Sequence, residues 1–475
     1  MKKFSRYILV SLVLLGLGLT ALWFFHDPAA SLKMSVPGMD NRKKGPAAAG
    51  EKVNIGEDFI LYKSVPGIPL ANWPRFRGEQ FDNISKENIK LISDWGKTGP
   101  RIVWKLSLGE GHAAPAVYDG RVYILDYDET KKEDALRCFS LLTGEELWRR
   151  GYHVHLKRNH GLSRTIPAVT KDYVLTIGPR CQVMCCERTS GAYLWGLDLG
   201  REFQVEVPFW YTGQCPLIDN DTAIIAVGGK SLLIGVDCKT GKKVWETPNP
   251  RNWKMSHASL MPMTLAGQKM YVYCAIGGVC GIAANGPLRG KVLWETTEFA
   301  PSVVAPSPVI LNEGRIFVSA GYGAGSALLQ VKVVNEGFSV KVLQKLKPQD
   351  GLASEQQTPV FSGGYLYGIL PKDAAGLRNQ FVCCKETDCS RILMSSGKTE
   401  RFGLGPYILA DGKFFILNDD GEMSIAKASP AGFNVLSKAR IIDGQDSWGP
   451  IAITSGYLLM RDSKTMVCLD IRAKD

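Results

Sequence analysis

Two pairs of adjacent cysteines stand out among the residues able to do chemistry: Cys185-Cys186 in QVMCCER and Cys383-Cys384 in QFVCCKE. Both lie in strand-like runs, where neighbouring side chains point to opposite faces. Each pair therefore reads as one thiol facing in and one facing out, with its redox state open. The chain has 12 Cys and no Cys-x-x-Cys spacing, so no zinc site is expected. His153, His155 and His160, in GYHVHLKRNHG, form the densest titratable cluster. If 152–156 is a strand, His153 and His155 share a face at metal-ligand reach. Arg149, Arg150, Lys157, Arg158 and Arg164 surround them, a basic patch able to hold an anion or an acidic partner; its simpler reading is a solvated connection. Asp126, Asp128, Glu129, Glu133 and Asp134 read as a solvated acidic loop. Gly228-Gly229-Lys230-Ser231 resembles the end of a phosphate loop, but Ile224 stands where the earlier glycine is required. Gly321-Tyr322-Gly323-Ala324-Gly325 lacks the dinucleotide spacing. There is no Gly-x-Ser-x-Gly elbow and no His-Glu-x-x-His helix. No catalytic or metal-ligating residue is assigned, and cofactor-binding residues stay unassigned.

The elements that would position these residues begin with an address. Lys2, Lys3 and Arg6 precede an uncharged apolar run from Ile8 to Phe25, just long enough to cross a bilayer. The positive flank should stay cytoplasmic, which exports the remainder. Residues 1–25 thus read as a signal anchor in an inner membrane, with the body on the periplasmic or extracytoplasmic side. Ala29-Ala30-Ser31 keeps cleavage open as an alternative. Residues 26–70, with Pro28, Pro37, Pro46, Pro66 and Pro69, read as a linker. The formal net charge of +11 divides unevenly: residues 1–50 hold seven Lys/Arg and two acids. The body is only mildly basic and shows no Lys/Arg run interleaved with aromatics, so no nucleic-acid partner is expected.

Residues 71–475 form a single repeat array. One phrase, a Pro before a short apolar run, a turn and an alternating strand, recurs at Pro115, Pro167, Pro216, Pro262, Pro308, Pro359, Pro406 and Pro450. A second phrase ends in Trp four residues after Gly: TGEELW at Trp148, SGAYLW at Trp195, TGKKVW at Trp245 and RGKVLW at Trp294; TGPRIVW at Trp104 is a variant. Later copies replace Trp, with LQKL near Leu343, ILMSS near Leu393 and VLSKA near Leu436, so their junctions should pack differently. Each unit has room for four short strands, the blade of a β-propeller. The last unit lacks its Trp strand, while 101–108 is a Trp strand with no preceding phrase. The expectation is an all-β, eight-bladed propeller of four-stranded blades, closed by that N-terminal strand and preceded by one transmembrane helix. His112 and His257 then stand where blades begin, as satisfied polar residues near a channel.

Over residues 72–471 these phrases resemble the PQQ-like (quinoprotein-type) propeller family, and the Gly-x-x-x-Trp endings look like its tryptophan-docking motif. Trp73-Pro74-Arg75-Phe76-Arg77-Gly78 resembles the WPxFRG opening of exported PQQ-like proteins. The resemblance implies two alternatives. One is a cofactor-free scaffold similar to outer-membrane assembly lipoproteins. The other is a PQQ-dependent dehydrogenase of alcohols or sugars, with calcium, an aspartate base and a ring of two disulfide-linked adjacent cysteines against the quinone. The cysteine pairs fall four blades apart and no calcium or base stretch is matched, which favours the scaffold: no cofactor, and a protein or cell-envelope partner, with oligomeric state open. The expected contact surfaces are 126–136, 201–212, 249–258 and 371–380.

Overall fold

The computed structural model describes residues 2–25, 52–62, 70–159, 161–335, 337–444 and 446–473. Eight antiparallel sheets follow one another around a ring. Blades 1 to 7 span 116–153, 168–198, 217–248, 261–296, 309–346, 360–395 and 407–440. Blade 8 takes its three inner strands from 452–470 and its outer strand from Arg101–Ser107. That outer strand pairs antiparallel with Thr465–Asp470, from Arg101 opposite Asp470 to Ser107 opposite Thr465. Closure by the N-terminal strand therefore follows the sequence expectation and removes the free edge an open array would leave.

Two sheets carry a fifth strand beyond the expected four. Asp58–Leu61, within the span read as linker, pairs with Glu146–His153 on the outer edge of blade 1. Ile84–Ser85 pairs in parallel with Tyr407–Ala410, the innermost strand of blade 7.

The Trp phrase has a geometric cause. In every blade the outer strand carries a β-bulge against its neighbour. The register skips Val103, Leu147, Leu194, Val244, Leu293, Leu343, Leu393 and Leu436 in blades 8 and 1 to 7 respectively. The residue after the bulge is Trp104, Trp148, Trp195, Trp245, Trp294, Gln344, Met394 or Ser437. A bulge turns the following side chain relative to the strand, here toward the next blade. There a glycine receives it. A Cβ on Gly144 would lie 2.7 Å from Trp104, on Gly191 2.7 Å from Trp148, on Gly241 2.6 Å from Trp195, and on Gly290 2.9 Å from Trp245. These glycines also sit at φ +70 to +79°, where a side chain is strained. Three indoles are satisfied across the junction: Trp104 Nε1 donates to Leu141 O (2.7 Å), Trp148 to Thr189 O (3.0 Å) and Trp195 to Cys238 O (2.7 Å). Trp294 has no such glycine ahead of it and donates to Met270 Sδ of its own blade (3.2 Å).

The helix Lys2–Phe25 precedes this ring. Its apolar stretch Tyr7–Phe24 has a mean hydropathy of 2.2 and every side chain exposed. It is long and apolar enough to cross a membrane; a signal sequence has the same properties.

A candidate binding site at the channel mouth

The residues leading into the innermost strands of all eight blades line one central cavity of about 370 Å³. Its wall is tied from blade to blade by a repeated bond, in which a backbone amide donates to a side chain of the next blade. Ile166 N bonds Cys215 Sγ (3.2 Å), Cys215 N bonds Ser259 Oγ (2.9 Å), Ser259 N bonds Ser307 Oγ (2.8 Å) and Ser307 N bonds Thr358 Oγ1 (2.9 Å). All five residues are buried, so each bond satisfies an amide that water cannot reach. Burial pushes the Cys215 thiol up to about 11, which keeps it a neutral acceptor.

The WPRFRG segment forms the cavity floor, on the face that carries the first turn of each blade. Trp73 exchanges backbone bonds with Val117 (2.9 and 2.8 Å), and Pro74 O accepts from Val169 N (2.9 Å). Arg77 is buried and donates only to carbonyls, among them Thr358 O and Pro359 O at 2.9 Å each. Phe76 lines the cavity from below. This segment thus touches blades 1, 2 and 6 at once and closes one end of the channel.

The other end is a mouth built from aromatic and charged groups. Trp210 stacks on Tyr322 with centroids 5.8 Å apart and planes at 16°, and tilts over His257 at 6.0 Å. His112 stacks on Trp448 at 5.1 Å. Lys372 Nζ lies 3.6 Å from Glu355 and 5.4 Å from the Tyr322 ring centroid. Arg164 donates to Asn159 O (3.2 Å) and Gly161 O (3.3 Å) and is lowered to about 10 by burial. Burial first, and the Arg164 charge second, hold His257 down to about 4, so its imidazole is neutral at neutral pH. Burial raises the Glu355 carboxyl, and Lys372 opposes that rise. The mouth therefore offers flat apolar faces, a guanidinium in its wall and an ion pair at its rim. Such a surface suits an extended or planar segment with polar groups along it.

Three of the four expected contact inserts contribute here: Trp210 from 201–212, His257 from 249–258 and Lys372 from 371–380. The fourth, 126–136, lies in a hairpin of blade 1, Arg121–Asp128 and Glu133–Ser140, and does not line this cavity. Its acids divide: Glu129 is exposed and Asp128 half-buried at the turn, as a solvated loop requires, but the other three are not solvated. Asp126, Glu133 and Asp134 are buried. Asp134 accepts from Tyr152 Oη (2.8 Å) and Ser163 Oγ (3.2 Å), and burial raises its carboxyl to about 7.

The histidine cluster also changes. The strand ends at His153, whose Nε2 lies 3.5 Å from Asp58 Oδ2; His155 lies beyond it, and His160 falls outside the described residues. The basic patch divides into separate contacts. Arg149 bonds Glu146 (2.8 Å), Arg158 bonds Glu110 (2.9 Å), Arg150 reaches Gly56 O (2.7 Å), and of these cations Arg164 lines the channel. His112 and His257 take up the channel positions expected of them. Sequence reasoning missed Tyr322, Glu355 and Trp448 as site residues, and reached Trp210 only as part of the insert 201–212. The lone signal was their place in loops leading into a Pro phrase or between strands.

A quinone with calcium fits these residues poorly. Among the described residues, Glu355 is the one carboxylate lining the cavity, and none form a group of three or more His, Cys, Asp or Glu suited to a metal. Cys185, Cys186, Cys383 and Cys384 are buried in the cores between blades, away from the cavity lining.

Eight four-stranded blades around a closed-bottomed channel define a PQQ-like propeller. The family model described as outer membrane protein assembly factor BamB matches residues 131–388, more than half of the chain, and the chain belongs to that family. Among solved structures, BamB from Moraxella catarrhalis is 12% identical with a TM-score of 0.52, covering 78% of this chain and 99% of that one. A europium-containing methanol dehydrogenase is 12% identical with a TM-score of 0.56, covering 82% and 89%. The computationally designed Ika8 protein is 11% identical with a TM-score of 0.51, covering 78% and 100%. These likenesses concern the fold. No curated protein matches the chain significantly.

Proposed function

We propose that this protein is a membrane-tethered, exported propeller that works as a binding scaffold, holding a segment of a partner protein or an envelope polymer at the channel mouth. One observation carries the reading. Loops from separate blades bring Trp210, His257, Tyr322 and Lys372 together above a channel that Phe76 and Arg77 close from below. A rigid ring with a built aromatic mouth presents a surface at low entropic cost. The family description, which names an assembly factor of outer membrane proteins, supports a protein partner, and the N-terminal apolar helix supports a tether.

The test is photo-crosslinking in native membranes, with a photoreactive residue at Tyr322 of the full chain. A discrete adduct that Trp210→Ala abolishes supports the reading. Adducts that ignore Trp210→Ala, or none, count against it. The dehydrogenase alternative predicts stoichiometric quinone absorbance after reconstitution with PQQ and calcium, and that spectrum would replace the scaffold reading.

A further inference from the structure

Twelve cysteines are buried as thiols, and adjacency in sequence is a poor guide to which of them meet. Cys185 and Cys186 face different cores. Cys185 shares one with Cys238 of the next blade, whereas Cys186 packs into the core that includes blade 1. Cys383 and Cys384 divide the same way, and Cys384 shares its core with Cys389. The Trp geometry then brings Cys185 onto Cys238. Cys185 is the cross-strand partner of Trp195. The Trp195 indole N–H docks on Cys238 O at 2.7 Å, and Cys185 Sγ lies 3.6 Å from that same carbonyl oxygen. In blade 6 a tight turn joins the strands Phe381–Lys385 and Asp388–Ser395, with Lys385 opposite Asp388. Cys389 Sγ lies 3.8 Å from Lys385 O, the residue next to Cys384, within the core that Cys384 and Cys389 share.

We propose that Cys185–Cys238 and Cys384–Cys389 are oxidation sites that become disulfides in the exported protein, while Cys186 and Cys383 remain thiols. The first would staple blade 2 to blade 3 beside a docked tryptophan; the second would lock one hairpin. Each bond forms by thiol–disulfide exchange with an oxidised dithiol donor of the extracytoplasmic compartment. One protein thiolate attacks a donor sulfur, giving a mixed disulfide and releasing one donor thiolate. The second protein thiolate then displaces the other donor sulfur, so two electrons and two protons leave the protein and the donor ends as a dithiol. All four sulfurs are buried once folded, so exchange takes place during folding, before the blades close. Burial protects the finished bonds from reductant. Cys274 and Cys280, on neighbouring strands, face different cores and serve as an internal control that stays reduced.

This inference rests on export of the propeller, part of the function proposed above, and the experiment separates the two. Full-length protein is taken from membranes into an alkylating denaturant without reductant, and its disulfides are mapped by mass spectrometry. Two bonds among 12 Cys leave eight cysteines alkylated. Cys238→Ser should raise the alkylated number to nine, as should Cys389→Ser, whereas Cys186→Ser should lower it to seven. Twelve alkylated cysteines in protein whose propeller is protease-accessible from the extracytoplasmic side overturn the inference and leave the export reading intact. Bonds joining 185 to 186 or 383 to 384 also overturn it. If protease shows the propeller inside, the export reading fails; the pairing is then decided by refolding the full chain in glutathione redox buffer. There the two bonds named must dominate, and any other pattern overturns the inference. Reduction should also lower the apparent Tm by several degrees, a loss that the paired Cys→Ser variants share and Cys186→Ser does not.

Discussion

Junctions from blade 8 round to blade 4 differ from those of blades 5 to 7, although the backbone is the same. All eight outer strands carry the bulge that aims one side chain at the next blade. In the first group that side chain is Trp, and at all of its junctions but that of Trp294 the next blade offers a glycine to receive it. In the second it is Gln344, Met394 or Ser437, and smaller devices hold the junction. Gln344 donates to Asp388 (2.8 Å) and accepts from Cys389 N (3.0 Å). Met394 is buried among the aromatic rings of blades 6 and 7. Ser437 accepts from Trp95 N (3.1 Å), so the N-terminal segment supplies a buried tryptophan where the blade itself has none. The bulge is therefore the constant of this fold and the tryptophan is one way of using it. A large apolar side chain contributes more per junction than a single polar contact, whose net worth is small.

The comparison can be broken most forcefully at Trp148. Trp148→Ala removes a nearly wholly buried ring and should cost about 3–5 kcal/mol in chemical denaturation; a loss below about 1 kcal/mol would show that docking is not what holds these junctions. Gly191→Ala attacks the receiving side. Its new Cβ would meet Trp148 at 2.7 Å from a backbone at φ +71°. The left-handed backbone should cost about 1–2 kcal/mol, and displacement of the ring adds to it, visible as altered tryptophan fluorescence.

A pH experiment sharpens the contrast within the docked group. Asp134 links blade 1 to Ser163 at the start of blade 2, and its carboxyl is raised to about 7. The unfolded group titrates near about 3.9. The folded protein therefore holds a proton that the unfolded chain has released. This contribution is fully present below about pH 4 and is lost as pH rises through about 7. Asp134→Asn should flatten that part of the stability–pH profile, and an unchanged slope would remove Asp134 as its source. Gln344→Ala, in the other group, should cost only about 1 kcal/mol. A loss as large as that of Trp148→Ala would erase the distinction between the two sets of junctions.

Much of the ring was legible because its signals are local. The Pro phrases mark the inner strands, and Gly-x-x-x-Trp encodes a turn and a docking position within a few residues. The site was less legible. Cys185 with Cys186, and His153 with His155, drew attention by being adjacent or nearly so, yet adjacency in a strand sends side chains to opposite faces or leaves them on an outer edge. Trp210 and Tyr322 lie 112 positions apart in the sequence and stack because two loops lean over one channel.

By itself the sequence determined the number of blades, the closing strand, the tryptophan positions of the outer strands and the apolar N-terminal helix, since each follows from spacing over one turn or one strand. Only the tertiary structure decided which thiols meet, which acids are buried, that the WPRFRG segment floors the channel, and which aromatics converge at its mouth. Those outcomes depend on how neighbouring blades pack, and contacts across a ring leave no fixed interval in the chain to be read.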